Sequence, residues 1–439
     1  MKFQDLAYKK IAIWGMGKEG LAVQRVLSEK VSTAHLFFVT EENLNDLQHA
    51  DVIVKSPGVS LYRSEIQTAL KKGILLTSST NLFLQNKSSS TKVIAITGTK
   101  GKSTTSSLLY HCLKQLGVKT ALGGNIGVPL IDLVDEKDCI VVAELSSYQT
   151  ADLKGNIDLA ILTNLYPEHL QWHLTHQTYY HDKINMLLQA KKVLFNKNHE
   201  KSVQEARNFQ SPLFYMDEIY FKEGLFYDKD NPLFKTSSLP LKGEHNLENA
   251  CAVLACLKEL GLPLTNVQQA FESFIPLRHR LEIIGTKNGI TYVDDSISTT
   301  PETAIAAVKA FDAGQFITLI IGGTDRGQDY QELINFLTPL KNRILLITLP
   351  DTGKRAFDLA QQSSIPALQA QNMQEAVQLA NNNTKENGTV LLSPAAPSYN
   401  LYTNFEARGD DFKTKIFNSK CLNHLDKKIK TSEKVQNSK

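Results

Sequence analysis

The segment Thr97-Gly98-Thr99-Lys100-Gly101-Lys102-Ser103-Thr104-Thr105 carries the strongest chemical signal in the chain. Its glycines let backbone N–H groups face a polyphosphate, and a helix starting there adds positive potential. Lys102 is spaced to reach the β- and γ-phosphates, and Ser103 or Thr104 to hold Mg²⁺. The fit to GxxxxGK[ST] is incomplete, because Ile96 stands where the first glycine belongs, so the loop is a TGTxGKST variant. A glycine turn with no ligand is the alternative, opposed by the apolar strand before the loop and the helical pattern after it.

Five further clusters accompany it. Glu144 closes an apolar run and is followed by Leu145-Ser146-Ser147-Tyr148-Gln149. A carboxylate at a strand's carboxyl end sits where open α/β sheets bind ligands, and it offers the hard oxygen that Mg²⁺ prefers. His169 also follows a strand and is either a metal ligand or an ordinary loop histidine. In Gly243-Glu244-His245-Asn246-Leu247-Glu248-Asn249, Asn246 is placed to cap a helix, and Asn249 to point at a nucleotide base. Arg278-His279-Arg280 precedes a strand ending in Asp294-Asp295, which suits phosphate and metal work or a salt-bridged loop. Ser393-Pro394-Ala395-Ala396-Pro397-Ser398 and the later Asn404-Phe405-Glu406-Ala407-Arg408-Gly409 would line a cleft or form a plain turn. Taken singly, each of these five has an ordinary structural explanation.

Elements must hold these residues in place. Residues 11–14 form an apolar run, followed by Gly15-Met16-Gly17-Lys18-Glu19-Gly20 and a helical pattern through Leu21, Val23, Val26 and Leu27. GxGxxG between strand and helix is the setting of a dinucleotide-fold turn. Strands follow at 36–39 and 52–54, and the polar stretch 86–90 reads as a linker. Strands at 92–96, 140–143 and 159–162 and helices at 103–116 and 247–260 make a second β/α run. Beyond Pro276, strands at 290–293, 317–321, 344–348 and 389–392 alternate with helices that include 300–311 and 373–380. The expected fold is α/β in three domains. These are a Rossmann-like domain over 1–90, a P-loop ATPase-like parallel sheet over 91–275 and a second Rossmann-like domain over 276–418. Residues 419–439 form a basic tail expected to be disordered.

Composition narrows the function classes. A length of 439 residues suits about three domains. With 42% hydrophobic and 21% charged residues, the chain is globular. A net charge of +3 is too small to argue for nucleic acid. The tail alone carries six lysines against Asp426 and Glu433, so the rest of the chain is near neutral. The longest apolar stretches, 316–321 and 344–349, fall far short of the roughly 18 residues a membrane span needs. The N-terminus lacks a signal-peptide apolar core. Five cysteines without a CxxC pair fit a reduced, cytoplasmic protein with no membrane insertion.

In this order and spacing the six clusters resemble the Mur ligases of peptidoglycan synthesis, from Gly15 to about Phe412. ELSSYQ (144–149), GGNIG (123–127), LSPA (392–395) and NFEARGDDF (404–412) resemble the glutamate-adding branch specifically. The resemblance implies that the first domain binds the UDP substrate through Gly15, Gly17, Ser56, Pro57 and Gly58, aided by Asn125 and Gln149. It implies an ATP site of Gly98, Thr99, Lys100, Gly101, Lys102, Ser103, Thr104, Asn249, Arg280 and Asp295. Two Mg²⁺ ions would lie at Ser103, Glu144, His169 and Lys183, with Lys183 carbamylated by CO₂. Glutamate would meet Thr299, Arg326, Ser398 and Phe405. Lys102, Lys183 and His169 become the catalytic residues. The activity implied is ATP-dependent addition of glutamate to UDP-N-acetylmuramoyl-L-alanine through an acyl phosphate, by a monomer.

Several positions depart from the usual pattern. Lys100 stands where Asn is commoner, Tyr-Pro-Glu precedes His169, and Arg326 replaces a lysine. Asp295-Ser296-Ile297 lacks the lysine usual at Ile297, at the glutamate end of the site. D-glutamate is the default amino acid and L-glutamate the alternative. Two rivals belong to other classes. An NAD-dependent dehydrogenase needs an acid after the second strand to hold a ribose, where Glu41 and Glu42 stand close by. A non-catalytic nucleotide-binding regulator would not need Lys183 or the Arg280/Asp295 pair.

Overall fold

The computed structural model describes residues 1–166 and 170–417. The expected metal ligand His169 and the expected tail 419–439 therefore lie outside the described residues. The chain divides into two compact units, one of residues 1–240 and 245–274, the other of 241–244 and the chain from Ile275 onward.

The first unit holds two parallel sheets. The smaller runs His35–Val39, Lys10–Trp14, Val52–Lys55, Leu75–Ser78. The larger runs Leu213–Tyr215, Ala190–Asn196, Ile157–Leu162, Lys92–Thr97, Ile140–Glu144, Thr120–Gly124. Val, Ile and Ala fill their central strands because parallel strands are covered on both faces. Helix Lys18–Lys30 follows the first glycine loop, and helix Lys102–Gln115 follows the second.

The two sheets share one hydrophobic core. Ile11, Ile13, Val52 and Val54 of the first sheet join Val93, Ala95, Val141 and Ala143 of the second through Leu82, Phe83 and Leu84. The polar stretch at 86–90 does link them, but it is held fast. Asn86 accepts from Phe3 N at 2.8 Å and donates to Leu82 O at 2.8 Å and Met1 O at 3.2 Å.

A three-stranded antiparallel sheet, Ile219–Lys222, Leu225–Asp228 and Asn231–Lys235, was not expected from the sequence pattern. Its strands are short, and its first turn places Glu223 and Gly224 at φ +48° and +79°. Such a turn matches the twist of paired strands.

The second unit is a six-stranded sheet in the order Glu282–Lys287, Ile290–Asp294, Thr389–Leu392, Ile317–Gly323, Ile344–Asp351, Ala367–Gln369. Its first pair is an antiparallel hairpin and the rest is parallel. Helices Pro301–Phe311, Gln331–Leu337 and Thr352–Gln362 line one face. Met373–Asn383 and Phe405–Phe417 line the other. The molecule is thus α/β with parallel sheets, and the loops at the strands' carboxyl ends carry nearly every candidate residue.

Candidate active site

Strand Lys92–Thr97 feeds the phosphate loop. Strand Ile157–Leu162 lies beside it, and the residues after that strand staple the loop down. Thr99 N donates to Asn164 O at 2.9 Å, Lys100 N to Asn164 Oδ1 at 2.8 Å, and Thr163 Oγ1 to Lys100 O at 2.6 Å. Gly101 has φ +84°, and a Cβ there would lie 2.4 Å from Asn249 Oδ1. Only glycine allows that approach. Lys102 Nζ folds over the loop, donating to Gly98 O and Thr99 O at 2.9 Å each. Thr104 is buried, whereas Ser103, at the helix start, is half-buried.

Glu144 pairs with Ile96 across the sheet, one residue before the loop begins. Its side chain is fully buried. Oε1 accepts from Asn125 Nδ2 at 2.8 Å, while Oε2 has no hydrogen-bond partner among the described residues. A buried carboxylate oxygen short of donors is costly without a cation, so this group fits a divalent metal. Asn125, expected at the UDP substrate, therefore also holds the Glu144 carboxylate. Gly124 at φ +104° brings its backbone against Glu144, and Asn125 N donates to Glu144 O at 2.8 Å.

Lys183 projects from helix His176–Leu188 and is buried. Its Nζ donates to Gly98 O at 2.8 Å and lies 5.0 Å from the centre of the Tyr179 ring. Tyr179 OH is 2.8 Å from Thr99 Oγ1. The lysine and the phosphate loop are thus built against each other.

The first glycine loop is different. Ser56 Oγ reaches Gly15 O at 3.4 Å, which brings the two expected UDP loops together, and Gly17 and Gly58 face open space. Gln149 donates to Glu19 Oε1 at 3.4 Å. The Glu19 carboxyl is pushed up from its ordinary range by burial, against the opposing pull of the nearby Ser79 hydroxyl and the Gln149 amide. Glu41, the acid a dinucleotide ribose would require, is held by both Arg63 guanidinium nitrogens at 2.7 and 2.9 Å.

In the second unit, Asp295 accepts from Ser393 Oγ at 2.7 Å and Leu281 N at 3.2 Å. Burial pushes its carboxyl up to about 7, against a lowering pull from Ser393 and from the Arg280 charge. His279 and Leu281, on either side of Arg280, have φ +62° and +46°. Such left-handed residues mark a turn held by its surroundings. The loops after strands Ile317–Gly323 and Thr389–Leu392 are knit together by Gly322 N to Pro394 O and Thr324 N to Pro397 O, both 2.8 Å. The Arg326 guanidinium lies 5.6 Å from the Tyr399 ring centre, and Ser398, next to Tyr399 in the chain, is buried. Phe405 O accepts from Ser296 Oγ at 2.8 Å, whereas Thr299 is exposed.

Residues 96–257 match the Mur ligase middle domain, and residues 279–396 match the Mur ligase glutamate ligase domain. The chain is 34% identical over 457 residues to the UDP-N-acetylmuramoyl-L-alanine–L-glutamate ligase of Xanthomonas axonopodis pv. citri (strain 306), covering 94% of this chain and 96% of that protein. It is also 34% identical over 452 residues to the protein of the same name from Micromonospora sp. (strain ATCC 39149 / NRRL 15099 / SCC 1413), covering 94% and 97%.

The chain belongs to the Mur ligase family.

Solved Mur ligases share its fold. The UDP-N-acetylmuramate-alanine ligase MurC of Thermotoga maritima superposes with TM-score 0.61 at 18% identity, over 94% of this chain and all of that one. MurF ligase from Thermotoga maritima, solved with ADP, gives 0.58 at 16% identity over 94% and 96%.

Within this Mur ligase, one expected placement changes. Asn246 is no cap, because helix Glu244–Glu259 starts two residues earlier and buries it, with Asn249 Nδ2 donating to its Oδ1 at 3.3 Å. Asn249 faces the phosphate loop at Gly101. Two residues were missed. Glu19 lies inside the first glycine motif, where only the glycines had been read. Arg408 is buried and ties two loops together, donating to Ser296 Oγ at 3.0 Å, Ser296 O at 2.8 Å and Ala396 O at 3.0 Å. Burial lowers its guanidinium to about 10. Its place in NFEARGDDF was visible, but its role depends on loops far away in sequence.

Proposed function

We propose that the chain joins L-glutamate to UDP-N-acetylmuramoyl-L-alanine, with hydrolysis of ATP to ADP and phosphate. The observation that carries this reading is the phosphate loop with Lys102, Glu144 Oε2 and Lys183 around it, in a chain whose 34%-identical relatives carry that activity in their names. The default D-glutamate gives way to L, in line with those names and with Ile297 in place of the usual lysine. Residues 1–90 would take the UDP moiety, 91–275 the ATP and 276–418 the amino acid.

The substrate carboxylate attacks the γ-phosphorus of ATP, forming an acyl phosphate and releasing ADP. The glutamate amine then attacks the acyl carbon, loses a proton, and phosphate departs. Lys102, freed from the Gly98 and Thr99 carbonyls, moves its ammonium onto the transferring phosphoryl oxygens. Loop N–H groups, fixed by Thr163 and Asn164, orient the polyphosphate. Mg²⁺ held by Glu144, Ser103 and His169 would neutralise phosphate charge. A carbamate on Lys183 would keep one N–H for the bond to Gly98 O, and its oxygens would supply negative charge to help hold Mg²⁺.

Purified protein given ATP, Mg²⁺, UDP-N-acetylmuramoyl-L-alanine and either glutamate isomer tests the reading. Phosphate release and a glutamyl product are expected with L-glutamate only. Turnover with D-glutamate alone would overturn the isomer, and turnover with neither would overturn the function. A carbon-dioxide-depleted sample should regain rate when bicarbonate is added.

A further inference from the structure

Helix His176–Leu188 carries Tyr179, Asp182 and Lys183 on one face, because residues three and four apart are neighbours on a helix. Tyr179 and Lys183 touch the phosphate loop at Thr99 and Gly98. Asp182 turns instead to a buried hydrogen-bonded chain. Its Oδ1 accepts from Tyr62 OH at 2.7 Å, and its Oδ2 lies 2.6 Å from His173 Nδ1. His173 Nε2 is 2.9 Å from Ser147 Oγ. Asp182, His173 and Ser147 are all buried. Tyr148, Trp172 and Tyr179 enclose the imidazole, with ring centres 5.6, 4.5 and 5.3 Å from it. The other charges nearby are exposed His181, 3.5 Å from Asp182, and the Lys55–Asp152 pair, whose ammonium lies over Trp172.

The chain joins three sites. Tyr62 belongs to the loop that begins at Ser56-Pro57-Gly58, and Ser60 Oγ of the same loop donates to Trp172 O at 2.9 Å. Ser147 lies in the short helix Ser147–Thr150 with Gln149, three residues after Glu144. In the neutral imidazole a carboxylate on Nδ1 selects the Nδ1–H tautomer, whose Nε2 accepts a hydrogen bond from the Ser147 hydroxyl. Moving Tyr62 away leaves a buried carboxylate short of one donor, and the helix must follow or bear that loss.

We propose that Asp182 is a positioning residue through which the 56–63 loop and the phosphate loop sense each other's occupancy. This rests on the reading of those loops as the UDP-substrate and ATP sites. Binding at either loop then raises affinity at the other by the same factor, as linkage requires.

Calorimetry on the full chain tests it, using a non-hydrolysable ATP analogue with Mg²⁺ and UDP-N-acetylmuramoyl-L-alanine, each titrated alone and with the other saturating. The wild type is expected to show coupling of about tenfold. Tyr62→Phe and Asp182→Asn should bring it to within about twofold of unity, with affinities for each ligand alone changed far less. A merely structural role would lower stability and leave the ratio intact. Wild-type coupling retained in Tyr62→Phe, or none in the wild type, would overturn the proposal. Binding of neither ligand to the wild type would overturn the function on which it rests. Should Asp182→Asn fail to fold, Tyr62→Phe decides alone, since it removes one oxygen from a half-buried ring.

Discussion

The molecule's two glycine loops share one plan, strand, glycine turn and helix, yet their glycines serve opposite ends. In the phosphate loop, Gly101 makes room for a side chain, Asn249, brought in from another element. In the first loop, Gly20 makes room for backbone, because a Cβ there would lie 1.9 Å from Gly15 O. One glycine shapes a site and the other lets a helix dock on its own strand. The cations differ as well. Lys102 lies over the phosphate loop, whereas the first loop buries a carboxyl, Glu19, at its helix start. A helix N-terminus favours negative charge, so an acid there competes with any bound phosphate. The same motif geometry therefore need not mean the same ligand, and Glu41 committed to Arg63 argues further against a dinucleotide.

Substitutions in the two loops sharpen this contrast. Gly101→Ala should cost most in activity, about a hundredfold or more in ADP release, as the displaced Asn249 and the strained φ disturb a positioned phosphate site. Urea unfolding should lose no more than the roughly 1–2 kcal/mol that a left-handed φ costs a residue with a Cβ. If stability falls as far as activity, the glycine is a packing residue and the contrast fails. Gly20→Ala should do the reverse, losing about 1–3 kcal/mol of stability to overpacking, read as a lower urea midpoint. Gly17→Ala is its control, since nothing lies within 4 Å of that position.

Glu19→Gln gives the smallest effect and the one with a pH signature. A carboxyl raised above its unfolded value binds its proton more tightly in the folded state. Its contribution is complete below the unfolded carboxylate range and is lost as pH rises through the folded value. The variant's melting temperature should therefore gain on the wild type as pH climbs through that window. A constant difference across the window would show that burial of Glu19 does not govern its proton.

Much of this was legible in the chain. Apolar runs between glycine turns marked ten of the strands, since a buried parallel strand has few other ways to read. The phosphate loop and Glu144 stand out by residue type and spacing, whereas Lys183 is marked only by the resemblance to the Mur ligases. The small antiparallel sheet was not, because Ile219–Lys235 mixes aromatics with Lys, Glu and Asp in runs too short to show a period. The Asp182–His173–Ser147 chain was hidden for another reason. Its members lie in separate elements, and a lone histidine or aspartate carries no local mark of its partner. The shared core across residues 86–90 was equally unreadable, since polar residues look the same in a loose linker and in a tethered one.

Asn249 also has a place in time. It follows Gly101 by 148 residues (249 − 101) in the chain. At about 5–20 residues per second of synthesis, the phosphate loop leaves the ribosome roughly 7–30 s before the side chain that closes on it. Once Thr163 and Asn164 have emerged the loop has its staples but not yet its final wall, so a nascent chain passes through a stage with an open phosphate cradle.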